Sequence, residues 1–78
     1  MGKRILIVED EFLVALNLRQ SLSALGFETL GIAPDAPTAF QFASAKPDIA
    51  LVDVNLRDGE TGPYIGHRLA NEYGAVVL

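Results

Sequence analysis

The 78-residue chain has no cysteine and no tryptophan, and only one methionine and one histidine. Without cysteine there is no disulfide framework and no thiolate metal site. That usage suits a reducing, cytoplasmic setting. Basic residues are few as well: six Lys and Arg stand against ten Asp and Glu, a net charge of −4. The six are scattered and nowhere interleave with aromatics, which argues against direct nucleic-acid contact. Long apolar runs are also missing. The longest is the five-residue FLVAL at 12–16, far short of a membrane span. The opening MGKRILIVED reaches acidic residues too early for a signal peptide.

What is present belongs to one globular domain. Half the residues are hydrophobic and 21% are charged, a balance that favours a packed core over disorder. A chain this short buries only about 60–65% of its unfolded surface, so stability is marginal. RILIV at 4–8 reads as a strand. Residues 12–25 carry apolar side chains at 12, 13, 16, 18, 22 and 25, close to helical spacing, with Gly26 placed to stop the helix. FETLGI at 27–32 reads as a second strand. Asp35 can cap a helix running to about Ala45, with Phe40 and Ala43 on one side. Lys46-Pro47 ends that helix. IALV at 49–52 is a short, fully apolar third strand, and NLRDGETG is a loop. Residues 63–73 form a third helix, with Pro63 in its first turn and Gly74 at its end. AVVL at 75–78 begins a fourth strand. The order β-α-β-α-β-α-β predicts a parallel sheet with helices on its faces.

In such a sheet, function collects at the carboxyl ends of the strands. Glu9 and Asp10 end the first strand, and Asp53 ends the third. If those strands are neighbours, three carboxylates meet in one crevice, with Asp58 in the following loop. Like charges about 4 Å apart cost roughly 4 kcal/mol at an effective dielectric near 20. A proton, a lysine or a metal ion must offset that. An oxygen-only ligand set favours a hard cation, Mg²⁺ above all. The structural alternative is that Glu9, Asp10 or Glu11 simply favours the N-terminus of the first helix. Asp53 resists that explanation, because four buried-type residues precede it and Val54 follows.

ILIVEDE and PDIALVDVNL, separated by a helix, a strand and a helix, resemble the receiver domain of two-component response regulators. The resemblance implies a flavodoxin-like, three-layer α/β fold with strand order 2-1-3-4. It covers nearly all of this chain, residues 1–78, but only about two thirds of a receiver, lacking the family's fourth helix, fifth strand and fifth helix. It implies that Asp53 accepts a phosphoryl group from a histidine kinase or phosphotransfer protein. Asp10 would bind Mg²⁺ directly, Glu9 mostly through water, and Asn55 through its backbone carbonyl. The reading is of a signalling module rather than a substrate-turnover enzyme.

The chain departs from that pattern in three places. The family's switch Ser or Thr and its Lys have no counterpart in these 78 residues. Lys3 and Lys46 each precede a strand, at the wrong edge of the sheet. One face of the sheet is covered by the first helix alone, and the resulting apolar patch, together with the open edge of the fourth strand, predicts self-association or exchange of elements between copies. After Asp53, the +4 position is Arg57, and glycines fall at Gly59 and Gly62. Two rival readings share the fold: a pseudo-receiver that binds proteins without being phosphorylated, and a Mg²⁺-dependent phosphohydrolase or nucleotide-binding module. The second favours a DxD after the first strand or a phosphate-cradling glycine loop. Neither is there, and Gly59, Gly62 and Gly66 lack dinucleotide-fingerprint spacing. His67, beside Arg68, reads as solvated or at a rim. Phe12, Phe27, Phe40 and Phe42 read as packing residues. Tyr64 and Tyr73 bridge core and surface.

Overall fold

The computed structural model describes residues 2–53 and 61–78. The elements run β1 (Arg4–Val8), α1 (Phe12–Ala24), β2 (Glu28–Ala33), α2 (Ala36–Ala43), β3 (Ile49–Val52), α3 (Gly62–Tyr73) and β4 (Val76–Val77). All four strands are parallel, in the order β2-β1-β3-β4. This is the predicted architecture. Asn55, Arg57, Asp58 and Gly59 lie outside the described residues.

Two-residue alternation divides the sheet between two cores. From β1, Leu6 and Val8 join Ala39, Ala43, Ile65 and Leu69 on the α2–α3 side. Ile5 and Ile7 join Ala15, with Leu18, Leu22 and Phe27, on the α1 side. Both sets in β1 are sealed, since a central parallel strand is covered on each face. β3 continues the pattern: Ala50 and Val52 face the first core, Ile49 and Leu51 the second.

The ends of the helices follow from local chemistry. α1 closes in a Schellman turn: the Gly26 N–H donates to Ser23 and the Phe27 N–H to Leu22, each at 3.0 Å, with Gly26 at φ +93°. The Asp35 side chain accepts from the Thr38 N–H at 3.0 Å and caps α2. α2 stops at Ala43 rather than Ala45, because the chain turns into a left-handed Lys46 at φ +57°. Arg4 holds that turn. Its guanidinium donates to the carbonyls of Ala45 at 2.6 Å and Lys46 at 2.8 Å. The second strand is displaced from 27–32 to Glu28–Ala33 and carries a register shift opposite Ile5 and Leu6. There the Phe42 ring lies on Gly31, where a Cβ would come within 2.6 Å of it.

α2 and α3 are joined by Arg68, whose guanidinium lies 4.2 Å from the Phe40 ring centre and bonds to Tyr64 and Glu72. Tyr73 packs on the core, while Tyr64 is largely exposed. His67 is exposed, beside Asn71.

Candidate functional site

The period that builds the α1-side core also builds the site. Ile5, Ile7 and Glu9 form one row along β1, and Ile49, Leu51 and Asp53 form another along β3. The rows are in register, Ile5 opposite Ile49 and Ile7 opposite Leu51. Extending each row by two residues brings Glu9 beside Asp53. The backbone holds this junction: the Asp53 N–H donates to Val8 and the Glu9 N–H to Ala33, both at 2.9 Å.

Glu9, Asp10 and Asp53 each offer a carboxylate oxygen, and the three oxygens lie within 4.8 Å of one another. All three residues are half-buried. Among the described residues, no Lys or Arg makes an ion pair with any of them. Helix capping does not account for the cluster either. Glu11 is the N-cap of α1, and its side chain makes no capping bond.

A proton relieves part of the crowding. Desolvation, a hydrogen bond with Asp53 and the charges of Asp53, Asp10 and Glu11 together push the Glu9 carboxyl up to about 7. Near neutrality Glu9 is therefore partly protonated and donates to the Asp53 carboxylate. The donor set is all oxygen, convergent and half-solvated, which fits a hard cation that keeps several waters.

A groove of about 340 Å³ runs from Glu9 and Asp53 along the α1 side of the sheet. Its walls are Ile7, Leu51, Val14, Leu18 and Leu78. The alternation of β3 and β4 places Leu51 and Leu78 on this face, where the sequence predicts an apolar patch covered by the first helix alone.

No family model matches the chain. It is 38% identical over 64 residues to the phyllosphere-induced regulator PhyR of Methylorubrum extorquens, covering 80% of this chain and 24% of that protein. It is 40% identical over 60 residues to the transcriptional regulatory protein PdtaR of Mycobacterium tuberculosis, covering 73% of this chain and 29% of that one. The chain thus matches less than a third of the length of either relative. The REC domain of the PhyR response regulator of Erythrobacter litoralis superposes with a TM-score of 0.92 at 27% identity, covering 99% of this chain and 60% of that one. PhyR of Bartonella quintana, an anti-anti-sigma factor solved in complex with the anti-sigma factor NepR, superposes with a TM-score of 0.89 at 27% identity, over 99% of this chain and 32% of that one. Sequence and fold together place this chain among the receiver domains of response regulators, with the strand order and helices of that fold from β1 to β4.

Proposed function

We propose that Asp53 accepts a phosphoryl group from a histidine kinase or phosphotransfer protein of the cytoplasm. Glu9, Asp10, Asp53 and the backbone carbonyl of Asn55 would hold Mg²⁺ for that step. The observation that carries this reading is the convergence of three carboxylate oxygens within 4.8 Å at two adjacent strand ends. Mg²⁺, when bound, would neutralise the cluster and let an anionic donor approach. The chain itself supplies the rest. β3 aims the Asp53 carboxylate out of the sheet edge as a nucleophile. Glu9, whose carboxyl lies against Asp53, would hold the cation in its deprotonated form. Positioning and charge neutralisation are the main demands of phosphoryl transfer.

The test uses acetyl phosphate with Mg²⁺. An Asp53 oxygen bonds to phosphorus, the P–O bond to the acetyl group breaks, and acetate leaves with the electron pair. Mass spectrometry should find one phosphoryl group on the wild type, placed on Asp53, and none on Asp53→Asn. Labelling of Asp53→Asn to the same extent would refute the assignment. A second reading, a protein-binding module that is not phosphorylated, is favoured by the relative that is solved with NepR. For that reading, Asp53→Asn would leave partner binding intact.

A further inference from the structure

β2 forms the edge of the sheet on the far side from β4. The directions of its backbone groups follow from its bonds to β1. The Glu28 N–H donates inward to Lys3 at 3.0 Å, so Thr29, the next residue, turns its N–H and C=O outward. The Ala33 carbonyl accepts inward from the Glu9 N–H, so Ile32 also turns outward. The two outward residues are three apart instead of two, because of the register shift opposite Ile5 and Leu6. That shift confines regular pairing at this edge to the stretch around Thr29.

Thr29 lies opposite Ile5, on the α1 side of the sheet. There a cavity of about 450 Å³ is lined by Arg19, Ser23, Phe27, Glu28 and Thr29. Arg19 is exposed and, among the described residues, makes no ion pair. The Thr29 hydroxyl is buried and has no hydrogen-bond partner, a cost that a polar occupant would remove. From this arrangement we infer that the β2 edge takes an extended peptide segment of a partner protein, with an acidic side chain opposite Thr29. In an antiparallel pair the Thr29 N–H donates to the carbonyl of the facing residue, and the Thr29 carbonyl accepts that residue's N–H. The facing side chain shares the face of Thr29, so a carboxylate there meets Arg19 and Ser23. A second copy of β2 does not supply it. Glu28, the one acid of the strand, stands opposite Arg4 in the other row, and two such edges paired at Thr29 would set Arg19 against Arg19. Glu28 at the rim of the cavity also weighs against a doubly charged anion such as free phosphate. The site is separate from the carboxylate cluster and uses neither Asp53 nor a cation.

Titrating the capped peptide acetyl-Thr-Val-Glu-Val-Thr-amide into the ¹⁵N-labelled chain tests this, with circular dichroism confirming the fold of the variant. In the millimolar range the amides of Thr29 and Leu30 should shift, while Val76 and Val77 at the other edge stay in place. The same peptide with Gln for Glu should bind about fivefold more weakly. Arg19→Glu should reverse the order and prefer the peptide with Lys at that position. No shift at Thr29 overturns the inference. So does equal affinity of the wild type for the Glu and Gln peptides, or an Arg19→Glu chain that still prefers Glu. Sodium acetate that moves the same amides as far, or a peptide N-methylated at Glu that binds as tightly, would reduce the site to a pocket for free carboxylates and overturn the backbone pairing. None of these outcomes bears on whether acetyl phosphate labels Asp53.

Discussion

The two ends of the sheet are built from the same strands and treat charge in opposite ways. At the amino end, the Asp48 carboxylate accepts the Arg4 N–H at 2.9 Å, and the Arg4 guanidinium closes the last turn after α2. At the carboxyl end, Glu9, Asp10 and Asp53 face one another with no described cation between them. The amino end spends its charge on holding β1, β3 and the α2 turn together. The carboxyl end holds its charge in reserve, in a geometry that a divalent ion or a phosphoryl donor can use. The difference teaches where stability and function lie in this fold, and each is open to perturbation.

The largest effect should come from the cation. Mg²⁺ at about a hundred times its dissociation constant should stabilise the chain by about 2.7 kcal/mol, read as a shift in the urea midpoint. The triple variant Glu9→Gln, Asp10→Asn, Asp53→Asn should show none of it, and an equal shift in that variant would dissolve the distinction between the two ends. Next comes Arg4→Ala. Losing charged hydrogen bonds at a partly solvated site should cost about 1–1.5 kcal/mol in urea unfolding. An unchanged midpoint would remove the amino-end clamp from the account.

Glu9→Gln should act with the opposite sign. A carboxyl raised from 4.5 to about 7 contributes stability that is full below about pH 4.5 and lost as pH rises through about 7. Metal-free Glu9→Gln should therefore be the more stable protein above about pH 7, by no more than about 1 kcal/mol after solvent screening. The gap should close at low pH, as thermal melts across pH will report. For the same reason Mg²⁺ should bind more tightly as pH rises through about 7. The smallest effect is at Lys46, whose φ of +57° is a strained setting for a side chain. Lys46→Gly should gain about 0.5–1 kcal/mol, the relief of left-handed strain less the added chain entropy. Calorimetry can read that sign.

Much of this was legible in the residues. ILIV at 5–8 is apolar at every position because both faces of β1 are covered, and Gly26 and Asp35 act as their local chemistry dictates. The acidic strand ends could be placed because period-two rows run straight into them. Other features depended on contacts far apart in sequence. Strand β2 skips a residue opposite Ile5 and Leu6, and the Phe42 ring lies on Gly31 beside that shift. α2 ends early because Arg4, 41 residues from Ala45, holds its last turn. The proton shared by Glu9 and Asp53 required their actual separation and burial, which no pattern of residues provides. The expectations for Asn55 and Asp58 lie outside the described residues.

The account turns on β1 and β3 presenting their terminal carboxylates to one ion. Titrating Mg²⁺ into the ¹⁵N-labelled chain and following the amide resonances tests that most directly. Glu9, Asp10 and Asp53 should shift together, with a single dissociation constant, while Arg4, Lys46 and Asp48 stay in place. Shifts that leave Asp10 or Asp53 unmoved, or that appear equally at Asp48, would contradict it.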